Sequence, residues 1–308
     1  MTAQAPSDFP YELRSEEDRP EVLRKYWGIA QGLQKVDDLQ TSSRLEQLSQ
    51  ENIEGLRGLK ETGELLKAYY EESSNMVLDD DLLARANVER EADFVSLRIA
   101  ELLAKGAFLF SPIMLDQIHG YLFQDLDAQI YRPGEHKDQP LQKQEFILNG
   151  DSVVYADPSL VEASLKLAFE DEAGHSYGRT IEGKDLEGLA QFVSRMWQAH
   201  PFFEGNTRAI AVFLVLYLND LGYEVTNEPF EEHSCFFRNA LVRANYRNPK
   251  AGVFPDLSYV VSFLQQALSG SEKALHSRDL MVQALFDDPS LLRNVSPRRA
   301  LRIPEASR

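Results

Sequence analysis

Apolar residues recur at three- and four-residue spacing along most of this chain, the pattern of helices that each bury one face. "RPEVLRKYWGIAQGLQKV" and "SSRLEQLSQENIEGLRGLKETGELLKAYYEES" show it first, with Ser42 or Ser43 where an N-cap belongs. They predict a helical module over about residues 20–75. The polar stretch "ESSNMVLDDD" reads as a linker, and "ANVEREADFVSLRIAELLAKG" as an amphipathic helix closed by Gly106. Next comes "SPIMLDQIHGYLFQDL", a helix with Pro112 in its first turn, and then the loop "YRPGEHKDQP". One stretch reads as β structure: in "EFILNGDSVVYAD" two apolar runs flank Asn149-Gly150, which predicts an exposed hairpin. Helices resume with "PSLVEASLKLAFEDEA", "KDLEGLAQFVSRMWQAH", "TRAIAVFLVLYLNDLG", "EPFEEHSCFFRNALVRANY" and "DLSYVVSFLQQALSG". The expected fold is therefore an all-α bundle with one β-hairpin flap. It divides into an N-terminal module (1–78), a main domain (79–270), and a C-terminal helix with a basic, Pro-interrupted, loosely docked tail (271–308).

Composition narrows the function. With 49 acids against 32 bases the net charge is −17, a field that repels polyanions, so no nucleic-acid partner is expected. No apolar run reaches the roughly 18 residues that would span a bilayer, and the first twenty residues lack a secretory plan. A cytoplasmic protein without a membrane partner is expected. The single cysteine, Cys235, rules out an internal disulfide framework and a thiolate-rich zinc site. His119 reads as a core histidine and His175 as a loop residue. His136, His233 and His276 have no partner at metal-ligand spacing, which argues against a zinc enzyme.

The densest chemistry lies in "HPFFEGNTR", residues 200–208. The helix that follows is apolar nearly all round, so it is predicted to be buried, with Gly205, Asn206 and Thr207 at its N-terminal end. Unpaired amides and the positive end of the helix dipole make that end an anion site. Arg208 can add a forked donor to a phosphate there. Glu204 stands one residue ahead, placed to hold Mg²⁺, and His200 is a neutral imidazole able to take a proton from an attacking hydroxyl. These parts together suit phosphoryl or nucleotidyl transfer.

The stretch resembles the signature of the Fic family, His-Pro-Phe-x-(Asp/Glu)-Gly-Asn-Gly-Arg-x-x-Arg, through His200, Pro201, Phe202, Glu204, Gly205, Asn206 and Arg208. Seven fixed positions coincide by chance roughly once in a billion starts. "IHGYLFQDL", the Asn149-Gly150 hairpin and "FFRNALVRANY" resemble the surroundings of that signature, so the likeness spans about residues 90–270 of the chain. The resemblance implies a protein adenylyltransferase that moves AMP from Mg-ATP to a Ser, Thr or Tyr hydroxyl of a target protein. His200 would be the general base and Glu204 the Mg²⁺ ligand. Gly205, Asn206 and the Thr207 amide would form the anion cradle, Arg208 would grip the phosphates, and Phe202 would be a buried anchor. Asn245 would reach the nucleoside and Phe237 would lie near the base, each with packing as the equal alternative. The target would dock by strand addition on the hairpin 145–156. Self-modification and a homodimer stay open.

Two positions depart from the signature. Thr207 replaces its second glycine, and Ala211 replaces an arginine that in the family orients the γ-phosphate and pairs with an inhibitory glutamate. The loss of that arginine keeps a phosphotransferase, another nucleotidyl donor, or a catalytically silent module of the same fold as alternatives. Residues 33–55 resemble the small antitoxin that accompanies some Fic proteins, with Asp37 near the inhibitory position. Leu33 and Asp38 stand where that motif has a hydroxyl and a glycine, and the other alignment, on Glu54-Gly55, has Gln50 in place of the hydroxyl.

Overall fold

A computed structural model of the chain describes residues 19–74, 80–270 and 275–293. Five residues of the expected linker, 75–79, and the tail beyond 293 lie outside these. Among the described residues thirteen α-helices follow one another: α1 (Arg19–Gly32), α2 (Ser43–Ile53), α3 (Leu59–Ser74), α4 (Asp80–Lys105), α5 (Pro112–Phe123), α6 (Ala128–Tyr131), α7 (Val161–Ala173), α8 (Lys184–Ala199), α9 (Asn206–Asp220), α10 (Glu228–Glu232), α11 (Ser234–Asn245), α12 (Ser258–Ser269) and α13 (Gln283–Asp287). The all-α expectation holds, and the one β-bridge among the described residues joins Asn248 to Val253. No described helix is long and apolar enough to cross a membrane.

Helix α9 is the axis of the molecule. Every residue from Asn206 to Leu218 is buried, as its all-round apolar sequence demands, and it packs against α5 and α8. The apolar core continues without a break from Leu23 in α1 to Leu285 in α13. Between α1 and α2 the chain tightens into a 3₁₀ turn, Leu33–Asp37, that lies against α9 and α11. Gly32 permits this approach, because a Cβ there would stand 2.3 Å from the Glu231 Cα and 2.4 Å from the Phe230 carbonyl oxygen.

Of the two candidate caps, Ser42 is the one used: its hydroxyl oxygen accepts the Leu45 amide at 3.1 Å. The buried Asp93 of α4 ties this cap to α3. Its carboxylate accepts the Ser42 amide (2.8 Å), the Ser42 hydroxyl and the Tyr70 hydroxyl (2.7 Å). Burial nonetheless raises its pKa above the ordinary aspartate value. Asp93→Ala strips three donors of their acceptor and is expected to cost about 3 kcal/mol, read as a lower urea midpoint at unchanged slope.

The stretch expected as an exposed hairpin, 145–156, does not form two strands. Phe146–Leu148 is a 3₁₀ turn, and Asn149 (φ 52) and Gly150 (φ 85) take the left-handed conformation that a tight turn needs. The ladder is replaced by a small loop, closed by the Glu145 amide on the Asp151 carbonyl and by the Gly150 amide on the Glu145 carbonyl, both 3.0 Å. The reason lies in the side chains. Adjacent Ile147 and Leu148 are both buried, which the alternation of a strand forbids. The segment's backbone bonds go elsewhere: the Ala156 amide reaches the Gln198 carbonyl, and the Ile147 carbonyl accepts from Val282. The C-terminal helix is docked, since Leu280 and Leu285 are fully buried and Asn149 Nδ2 donates to the Leu285 carbonyl at 2.9 Å, while the basic tail expected to be loosely docked lies outside the described residues. "EPFEEHSCFFRNALVRANY" breaks into α10 and α11 at His233 rather than forming one helix.

Candidate active site

Helix α8 ends in a left-handed turn at His200 (φ 47, ψ 60), which swings the imidazole back against the Tyr155 ring at 3.8 Å between centroids and 23° between planes. His200 is buried, and its Nδ1 has no hydrogen-bond partner among the described residues. Burial first, then the charges of Lys137 and Lys143, push its pKa down to about 3, so the imidazole is neutral.

The loop from 201 to 205 is held at several backbone groups. The Asn206 side chain accepts the Phe202 amide (3.0 Å) and donates to the Phe202 carbonyl (2.7 Å), so this amide is spent on the loop. Phe202 is a buried anchor, its ring stacked on His119 at 3.8 Å and 8°. His119 is the core histidine expected, with a structural task besides. One ring nitrogen bonds the Glu204 carbonyl and the other takes the Gly134 amide, both at 3.0 Å. Burial pushes its pKa down to about 3, so the neutral ring donates from Nε2 and accepts at Nδ1. The Thr207 hydroxyl, absent where the signature has glycine, accepts the Trp197 indole N–H at 3.0 Å and joins α9 to α8.

Gly205 (φ 73) precedes α9, and no side chain caps that helix, so its leading amides point toward the hollow beside His200. That hollow is lined by Asp37, Lys143, Tyr155, His200, Glu204 and Arg238, and it holds ≈ 10 Å³, room for about one water. It opens onto a cleft of ≈ 500 Å³ that Glu91, Tyr131 and Arg208 also line. Glu204 is half-exposed at the junction, with Lys143 Nζ 3.8 Å from its carboxylate.

Arg208 is almost fully buried and already paired. Its Nε lies 3.1 Å from Asp37 Oδ2, one terminal nitrogen donates to Glu91 at 2.8 Å and the other to Gln34 at 3.2 Å, and its guanidinium lies 5.0 Å over the Phe123 ring. Asp37 also accepts from Lys143 at 3.2 Å. Burial favours its neutral form, yet Arg208, Lys143 and Arg238 together outweigh this and hold its pKa below the ordinary aspartate value. Asp37 therefore stands as an anion at the focus of three cations.

The structure thus brings His200, Glu204, Gly205, Asn206 and Thr207 around one hollow, with Arg208 lining the adjoining cleft. Asn245 is not in its lining; its amide donates to the Ser194 hydroxyl and the Leu241 carbonyl, both at 2.9 Å. Phe237 stacks on Phe263 in the core at 4.6 Å. Lys143, Tyr155, Glu91 and Arg238 went unnoticed in the sequence, because they come from two loop positions and two helices, α4 and α11, with no common motif. Ala211 is fully buried, and the cations facing the hollow come from outside α9 instead: Lys143 from the loop after α6 and Arg238 from α11. Away from this site, exposed Glu228 and Glu232 with His233 place three ligand atoms within 4.8 Å, a grouping that the histidine spacing did not signal.

Residues 109–218 match the model of the Fic/DOC family. Over that stretch the chain is similar to the Fic/DOC family. The matched stretch runs from just before α5 to Leu218 in α9 and includes the whole of 200–208. The chain is also similar to the crystal structure of a Fic domain containing signaling protein from Bacteroides thetaiotaomicron, at 17% identity over 87% of this chain and 97% of that one, with a TM-score of 0.36. No curated protein matches.

Proposed function

We propose that this chain is a protein adenylyltransferase that moves AMP from Mg-ATP to a hydroxyl side chain of a target protein. The observation that carries this reading is the convergence of a neutral, buried imidazole, a half-exposed carboxylate and the uncapped start of a buried helix on one hollow. The residues suit the group that the family uses. Glu204 can hold Mg²⁺, while the α9 amides and Arg208 can hold phosphate oxygens. Bound Mg²⁺ supplies charge neutralisation at the phosphates. His200 takes the hydroxyl proton, the new O–P bond forms at the α-phosphorus, and the bond to the pyrophosphate leaving group breaks. Half-exposed Phe146 and exposed Val154 support the 145–156 segment as a docking face for the target through side-chain contacts.

Asp37 holds the place of an anionic ligand in this arrangement. Its removal is the condition for phosphate to reach Arg208 and Lys143, so the turn Leu33–Asp37 acts as a stopper. Asp37→Ala is expected to tighten ATP binding on the order of tenfold in calorimetry and to raise the modification rate. Unchanged affinity in a variant with the parent's melting temperature would remove that role.

Ala211 favours one second reading, a different donor in the same cradle, because the γ-phosphate lacks the family's second arginine. Incubation with labelled ATP, GTP and UTP plus lysate, followed by mass spectrometry, separates the two. An added AMP supports the first reading, an added UMP, GMP or phosphate the second, and no addition with any donor leaves a silent module. Retention of both His200 and Glu204 argues against silence, since a binding module needs neither a base nor a metal ligand.

A further inference from the structure

Lys137 is a buried lysine outside the signature, with 3% of its surface exposed and no carboxylate within ion-pair distance among the described residues. A buried ammonium without a counter-ion is costly, so its partners are informative. Its Nζ donates to the Ala199 carbonyl at 3.3 Å, and its own amide donates to the Pro201 carbonyl at 2.7 Å. The two bonds bracket His200 from either side in sequence. Ala199 is the last residue of α8, so its carbonyl is one of those that the helix leaves unpaired, at the negative end of the dipole. The ammonium also lies 5.8 Å from the centre of the Tyr155 ring, the ring on which His200 stacks. A single residue, through its side chain and its amide, thereby holds the end of α8 in the left-handed turn that aims the imidazole.

We propose that Lys137 is a positioning residue for His200, its ammonium and amide clamping the 199–201 turn so that the imidazole faces the hollow. This rests on the reading of His200 as the base, although the clamp can be examined without activity. The charge acts in the same direction as the geometry, because a cation beside His200 disfavours the imidazolium. The other charged or titratable groups that face His200 are Lys143, Arg238, Tyr155, Asp37 and Glu204. Of these, Lys143 and Arg238 share the effect of Lys137. Burial pushes the Lys137 pKa down to about 8, with Asp157 opposing, so the clamp releases its proton just above neutral pH.

The test is NMR titration of the His200 ring carbon-bound protons in the full-length parent, Lys137→Met and Lys137→Arg, with no nucleotide present. The parent is expected to show a step near pH 8 as Lys137 loses its proton, absent from both variants. In Lys137→Met the imidazole should begin to protonate at a higher pH than in the parent, and Lys137→Arg should restore the parent's acid behaviour. With modification as the readout, Lys137→Met should lower kcat on the order of tenfold and leave the KM for nucleotide unchanged, because Lys137 does not line the cleft. Lys137→Arg should recover most of kcat. A step near pH 8 that persists in both variants, or His200 shifts in Lys137→Met identical to the parent's, would overturn the proposal. Should the parent modify nothing, the titration still decides on the clamp, and only the reading of His200 as base fails.

Discussion

His200→Asn is expected to lose protein modification by about 10²–10⁴-fold, the usual contribution of a positioned general base, while melting close to the parent. Asn is the substitute that separates chemistry from folding. His200 sits at φ 47, a conformation that asparagine tolerates far better than alanine, and the Nδ1 that would be lost makes no bond among the described residues. What disappears is the ring nitrogen that accepts the hydroxyl proton. The parent's pH profile is a companion check. A base with a pKa lowered to about 3 is competent at every pH above that, so the acid limb should fall well below the ordinary histidine range near 6.5. Incorporation of labelled nucleotide measures both. Parental rates in His200→Asn would remove the base assignment.

Gly205→Ala should be a severely damaging single-methyl change, at the site itself. Its Cβ would stand 2.1 Å from Phe123 Cζ and 2.4 Å from Cε2, at a φ of 73 where an L residue is already strained. The left-handed backbone costs roughly 1–2 kcal/mol and the overpacking roughly 1–3 more. Phe123 cannot step aside: it stacks on Tyr131 at 5.3 Å, touches His119 at 4.7 Å and carries the Arg208 guanidinium at 5.0 Å. Any shift of that ring moves the arginine and the loop together. Thermal melting is expected to drop on the order of 10 °C, with ATP binding lost as well. A variant that melts like its parent would show that the turn can relax, contrary to the packing described here.

Some elements were legible because one local rule decides them. The Ser42 cap and Pro112 in the first turn of α5 need only their neighbours. The 145–156 segment was misread for the opposite reason. Asn149-Gly150 does dictate a tight turn, but whether flanking runs pair with each other depends on what else offers backbone partners. Here α8 and the segment ahead of α13 do so, and they take both sides.

The site divides in the same way. His200, Glu204, Gly205 and Asn206 could be read from nine consecutive residues, because a helix start and a tight loop are written in local sequence, and an all-apolar α9 could only be central. The state of Arg208 could not. Its partners Gln34, Asp37 and Glu91 lie more than a hundred positions away, and charge pairing across such distances follows from how the turn Leu33–Asp37 and α4 pack on α9. Nor did any pattern mark Lys137, a lysine in a loop, as the cap of α8. Sequence determined which groups are close along the chain. Tertiary packing alone decided which distant charges meet them, because a buried ion has to be paired by whatever the fold brings within reach.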